Sequence, residues 1–227
     1  MRALAALLLL VLGACASPQY WGRYDPLREQ IANPGKVVAT ELAFARMAQE
    51  KGQWAAFRAY ATDDAVIFAP GPVNAQQWLK QQSEPAEAVK WQPHEVWSSC
   101  DGSLAVTRGA WQRPNGSTGY FTTVWQRQKD GEYKWVLDQG DPLAEPLVAP
   151  EFIRTRVADC RKPGSPAPPV TIALYPEGTK EGGGTSADNS LRWSWVALPD
   201  GRRRFTTDLY IDGQSQTVIT SQVAAPQ

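Results

Sequence analysis

Asp138 closes the run "KWVLDQG", with Trp135, Val136 and Leu137 before it. A carboxyl among apolar neighbours loses hydration when it faces an enclosed space; its pKa then rises towards neutrality and it becomes a general base. Arg108, in "VTRGAW", offers the opposite outcome, an ion pair that lowers the pKa and makes Asp138 structural. His94 is the single histidine and titrates near neutrality when unperturbed, so it is the second candidate for acid–base work. A lone strand histidine is more often a satisfied hydrogen-bonding residue. Tyr120 is the alternative acid. Asp63 and Asp64 stand at a helix-to-strand corner, where such side chains accept backbone N–H groups, and are read as structural.

Ten tryptophans are the strongest compositional feature, and Trp91, Trp97, Trp111, Trp125 and Trp135 all fall in runs read as strands. Large aromatics build cores. Five indoles on one sheet can hardly all face one way, so some are expected to line a pocket suited to a flat apolar or sugar-like ligand. The ligand-binding candidates are Trp97, Arg108, Trp111, Tyr120 and Trp125. No Gly-x-Ser-x-Gly, metal-ligand spacing, Cys-x-x-Cys or dinucleotide fingerprint occurs, so no metal or cofactor is expected. Lys+Arg and Asp+Glu are 23 each, which gives no electrostatic basis for a nucleic-acid partner. "GRRRF" at 201 to 205 reads as a solvated hairpin end.

Several elements must position these groups. Asn33-Pro34 has the cap and first-turn residues of a helix. From 37 to 48, Val38, Leu42, Ala45 and Ala48 recur at three or four residues, predicting one buried face, and Gly52 ends the helix. A second helix is predicted from 53 to about 61, a strand at 65 to 68 and a short helix at 74 to 82. Four strands follow near 91–99, 104–112, 120–128 and 133–139. Asp101-Gly102, Asn115-Gly116 and Asp130-Gly131 between them accept positive φ and close hairpins. The expected class is α+β, with N-terminal helices packed on a curved antiparallel sheet. A Pro-rich linker with a short helix is expected over 141–169 and a β-rich extension over 170–227, with "EGGGTSADN" read as an open linker.

The chain opens "MRALAALLLLVLGACASP". Ten apolar residues are too few to span a bilayer, which takes about 20, so residues 1–15 read as a signal peptide. Leu12-Gly13-Ala14-Cys15 resembles the lipobox of bacterial lipoproteins, which implies lipidation at Cys15 and a tether over 16–33; ordinary cleavage after Ala16 is the alternative. The expected location is the bacterial envelope, lipid-anchored and facing the periplasm. In that oxidising compartment Cys100 and Cys160 are expected to form a disulfide, the alternative being two buried thiols.

The runs "EKGQWAAFRAYATDDAVIFAPG", "GSLAVTRGAWQ" and "GYFTTVWQRQKDGEYKWVLDQG" resemble the nuclear transport factor 2-like, or SnoaL-like, superfamily over 34–140. The resemblance implies a cone whose mouth leads into an apolar pocket, and in some members dimerisation through the sheet, which the C-terminal extension here could block. Ketosteroid isomerases of that fold use an Asp base with a Tyr and a protonated Asp. Those base and Tyr positions fall here on Ala69 and Ala45, which cannot shuttle protons. The first reading is therefore an envelope protein binding a small molecule or an envelope partner without turnover. The alternatives are a cyclase, isomerase or dehydratase using Asp138 with His94 or Tyr120, and an interaction module with a vestigial pocket.

Overall fold

The computed structural model describes residues 31–161 and 174–225. The leader with Cys15, most of the tether and all but the last two residues of "VTIALY" lie outside the described residues. Helix α1, Pro34–Lys51, starts as its sequence dictates: the Asn33 side chain accepts the Lys36 N–H, and Gly52 ends it at φ 108°. Its buried face is Val37, Glu41, Phe44 and Ala48, one step round from the predicted Val38-Leu42-Ala45 stripe, and Leu42 is exposed. Glu41 hid that face, because a charged residue breaks the apolar pattern by which a buried stripe is recognised.

Helix α2, Gln53–Tyr60, has its first-turn N–H groups satisfied by Glu84, which accepts from Trp54 and Ala55 at 2.8 and 2.7 Å. Strand β1, Ala61–Phe68, leads into the short β2, Pro72–Asn74, and helix α3, Ala75–Leu79, capped by Asn74. The meander follows as β3 (Lys90–Ser98), β4 (Leu104–Gln112), β5 (Thr118–Arg127) and β6 (Tyr133–Pro142). Gly102, Gly116 and Gly131 take the expected positive φ in its turns.

The expected helix between 150 and 160 is absent. Arg154–Val157 is instead β7, paired in parallel with β3, giving a seven-stranded sheet ordered β2-β1-β6-β5-β4-β3-β7. Four later strands, β8 (Lys180–Thr185), β9 (Leu191–Ala197), β10 (Arg203–Ile211) and β11 (Gln214–Val223), form a separate antiparallel sheet. The glycine run read as a linker is β8. A Cβ at Gly182 would lie 2.7 Å from Trp195 Nε1 and one at Gly184 2.9 Å from Trp193 Nε1, so these glycines are bare because two indoles lie across the strand.

Two apolar layers result. The helices close over one face of the large sheet around Phe44, Ala65, Leu79, Val96, Trp125 and Trp135. The opposite face, with Trp97, Leu104, Val106, Val124 and Leu137, packs on Leu191, Trp193, Trp195, Phe205, Leu209 and Ile219 of the second sheet. Sheets stack this way when each has one apolar face to bury. The strand faces within 191–223 that an interaction module would expose are therefore largely consumed inside the chain. The Cys100–Cys160 disulfide is formed beside this junction.

Candidate functional site

Between the helices and the large sheet lies a cavity of about 330 Å³. Phe44 of α1, Trp54 and Phe57 of α2, Ile67 and Phe68 of β1, Trp78 of α3, Trp91, Trp111 and Phe121 form most of its wall, and Asp138 and Arg113 supply its charged groups. Its shape depends on glycines in the meander. A Cβ at Gly119 would stand 2.3 Å from the Trp111 ring and one at Gly109 2.7 Å from Phe121, so bare backbone lets both rings lie along the sheet. Trp111 is fixed there by donating Nε1–H to the Tyr120 carbonyl at 2.8 Å.

Asp138 is opposite Thr123 in the β5–β6 ladder, and Thr123 Oγ1 donates to Asp138 Oδ2 at 2.7 Å. Burial raises the Asp138 pKa to about 7; the Thr123 hydrogen bond opposes the rise and the charge of Glu41 adds to it. Asp138 as a residue keeps some accessible surface and lines the cavity, while protein surrounds its carboxyl closely. Of the two outcomes open to Asp138, the raised pKa is thus the one realised. Arg108 lies over the Tyr120 ring, 5.0 Å from its centroid, and forms no ion pair with Asp138.

Glu41, behind the cavity wall, is a buried acid that sequence reasoning does not find. It is fully buried and accepts from Thr107 Oγ1 at 2.6 Å, Trp91 Nε1 at 2.9 Å and Trp125 Nε1 at 3.0 Å. Burial raises its pKa and the three donors oppose the rise. Thr107 pairs with Thr123 in the β4–β5 ladder, so Glu41, Thr107, Thr123 and Asp138 form a polar row across the cone interior. The only sequence signal for Glu41 is its four-residue spacing from Val37 and three-residue spacing to Phe44.

The other candidates separate. Trp111 lines the cavity. Trp125 is fully buried beneath it as a donor to Glu41. Trp97 packs on the second sheet, so it is not a cavity residue. Tyr120 belongs to the same far side: its hydroxyl donates to Asp141 Oδ2 at 3.1 Å, and Asp141 is ion-paired with Arg203 of β10. Period-two alternation explains the split, because Tyr120 and Phe121 necessarily face opposite ways. His94 sits at the β3 bulge between Pro93 and Glu95, buried, outside the cavity lining, with its pKa lowered by desolvation. Neither the Asp138–His94 nor the Asp138–Tyr120 pair is assembled in the cavity. Asp63 and Asp64 are exposed on β1. Ala69 lines the cavity and Ala45 is half-buried on α1.

No described helix is long and apolar enough to cross a membrane, and no acidic, His or Cys cluster among the described residues is arranged to hold a metal ion. No protein-family model matches the chain, and no curated protein does. Solved structures similar to it include nuclear transport factor 2-like and ketosteroid isomerase-like proteins. They include a nuclear transport factor 2-like protein of unknown function from Methylobacillus flagellatus KT (13% identity, 49% of this chain and 92% of that chain, TM-score 0.37). A ketosteroid isomerase-like protein from Erwinia carotovora atroseptica SCRI1043 gives 15% identity over 54% of this chain and 99% of that chain, TM-score 0.36. The Delta 5-3-ketosteroid isomerase from Mycobacterium sp. gives 15% identity over 47% of this chain and 92% of that chain, TM-score 0.35. The chain is an α+β protein whose helices and curved sheet form a cone, with a second β-sheet packed on the outside.

Proposed function

We propose that the cone domain binds a small apolar or aromatic molecule and that Asp138 meets its polar group. The observation that carries this reading is the cavity itself: about 330 Å³, walled by aromatic rings, with one carboxyl open to it. Ligand sites are concave and mostly apolar with a few placed polar groups, and this volume lies at the lower end of their usual range. Binding is favoured over turnover because proton transfer at carbon also needs a donor that stabilises the developing charge. His94 and Tyr120, the candidates for that work, lie elsewhere, and the Arg113 guanidinium that lines the cavity is held over the Trp111 ring.

The second reading is an enzyme of the cyclase, isomerase or dehydratase type with Asp138 as base, and the observation favouring it is the carboxyl pKa near 7. We further place the chain in the bacterial envelope, anchored through a lipid on Cys15 and facing the periplasm. The apolar leader, the Leu-Gly-Ala-Cys run and the Cys100–Cys160 disulfide support this placement.

Native mass spectrometry of residues 16–227 purified from the periplasm of the source bacterium tests the binding reading. A small molecule retained at unit stoichiometry is the expected result. An empty protein that copurifies with another envelope component would replace it with a protein–protein role.

A further inference from the structure

Two carboxyls point into the cone interior and no basic side chain pairs with either. Asp138 has Thr123; Glu41 has Thr107, Trp91 and Trp125. The ion pairs of the described residues use other acids. The charged groups near Asp138 are Glu41 from α1, whose charge reaches it from behind the wall, and Arg113 beyond β4, which lines the cavity; α2, α3, β1 and β3 bring only uncharged side chains to it. Arg113 is engaged on the Trp111 ring, 4.7 Å from the centroid, and does not offset the rise in the Asp138 pKa.

The rings that share the cavity lining with Asp138 stand at steep angles to one another. Trp54 and Trp78 are 5.2 Å apart at 88°, Trp54 and Phe57 5.5 Å apart at 74°, and Phe57 and Trp91 5.9 Å apart at 70°. Packed on one another in this way, the rings hold each other in place, and a ring face left towards the cavity attracts a cation that comes within about 6 Å of it. An ionised carboxylate desolvated by burial is costly until a countercharge arrives, and a neutral ligand leaves that cost in place.

We propose that the cavity selects an organic cation, a quaternary or protonated ammonium carried on a compact apolar body, with the ammonium beside Asp138 and the apolar body among the rings. This rests on the cavity being the ligand site. Cation binding then requires ionised Asp138. It strengthens as pH rises through about 7, whereas a neutral hydrogen-bond acceptor would need the protonated acid and show the opposite slope.

The probes are benzyltrimethylammonium and its neutral carbon isostere neopentylbenzene, titrated into the purified protein and followed by tryptophan fluorescence. At about pH 8 the cation should bind at least about ten-fold tighter than the isostere, and about ten-fold tighter than it does itself at about pH 5.5. In Asp138→Asn the preference should vanish while isostere binding persists; the pH comparison on the unaltered chain needs no variant. Equal or tighter binding of the isostere, or cation affinity that does not rise with pH, overturns the cation assignment and leaves the binding reading standing. Binding of neither probe overturns the cation assignment, and if the native mass spectrum is also empty the binding reading falls with it.

Discussion

Asp101 and Asp188 each accept the other's backbone N–H: Asp101 N donates to Asp188 Oδ2 at 3.0 Å and Asp188 N to Asp101 Oδ2 at 3.1 Å. The exchange joins the β3–β4 turn of the cone to the β8–β9 turn of the outer sheet, and Cys100 N adds a bond to Ser190 Oγ at 2.8 Å. Asp101 Oδ1 also holds its own turn, accepting from Ser99 and Ser103, as Asp188 Oδ1 does from Ser186 and Ser190. Each carboxylate therefore fixes one turn and docks it on the other. Asp101→Ala and Asp188→Ala should each cost about 1–3 kcal/mol, and the double variant less than their sum. Denaturant unfolding of the four proteins measures this; full additivity would mean the turns dock independently.

The Cys100–Cys160 bridge closes a segment of 60 residues next to that junction. Restricting an unfolded chain of this length stabilises the native state by about 4 kcal/mol in the chain-entropy account. Paired Cys100→Ser and Cys160→Ser substitutions should lower stability by that order, and reducing agent should have no further effect on the variant. Thermal unfolding with and without reductant checks both statements.

Glu41 satisfies three donors, those of Thr107 and Trp125 buried and that of Trp91 partly buried, on a helix face otherwise made of Val37, Phe44 and Ala48. Glu41→Gln keeps one acceptor oxygen and turns an NH₂ towards a donor, costing about 1–3 kcal/mol. Glu41→Ala removes the Trp91 acceptor, leaves Trp125 and Thr107 only their longer bonds to Thr107 Oγ1 and the Thr123 carbonyl, and opens a void, and should cost more. An alanine variant as stable as the glutamine variant, in urea unfolding, would contradict this account.

Asp138 ties stability to pH with a definite sign. Its native pKa, about 7, lies above the unfolded value near 3.8, so the folded state holds the extra proton and stability falls as pH rises from about 4 to about 7. Glu41, also raised, acts in the same direction. His94 acts oppositely: its lowered native pKa removes stability as pH falls below about 6.5. A tenfold change in proton affinity on folding corresponds to about 1.4 kcal/mol, so Asp138→Asn should stabilise the protein by about 2 kcal/mol or more near pH 8 and by little near pH 3. Melting temperatures of the two proteins across that range decide it.

The second sheet depends on its bare edge strand. Gly182→Val would drive a side chain into the Trp195 ring, where even a Cβ would lie 2.7 Å from Nε1. The expected result is a loss of about 2–3 kcal/mol, accompanied by increased tryptophan exposure in quenching experiments. Substitution at Gly116, whose added Cβ meets no atom within 4 Å, should leave the Trp193 and Trp195 environment unchanged.

Much of the cone was legible in local sequence because its signals are local. Asn33 caps a helix by reaching three residues ahead, and Gly102, Gly116 and Gly131 close hairpins through their own φ, so neither needs the rest of the chain. The apolar neighbours of Asp138 left two outcomes open, a desolvated carboxyl or an ion pair with Arg108, because local sequence does not say which face of the sheet it occupies. Its partner was not readable either, since Thr123 lies fifteen residues away across a ladder.

Other features belonged to tertiary structure alone. Period-two alternation fixes that Tyr120 and Phe121 face apart, but only the packed sheet decided that Phe121 meets the cavity and Tyr120 the second sheet. "EGGGT" has no side-chain pattern of a strand, and it became one because Trp193 and Trp195 cover the bare backbone. Arg154–Val157 pairs with β3 although all four of its residues are exposed, so no apolar period could announce it. Glu41 looked like a surface residue on a helix until three donors from β3, β4 and β5 converged on it. The sequence by itself determined the helices of the cone, the four meander strands and their turns, whose causes act over a few residues. The faces, the buried acid and the cavity were decided by contacts between distant segments, which exist only once the chain is packed.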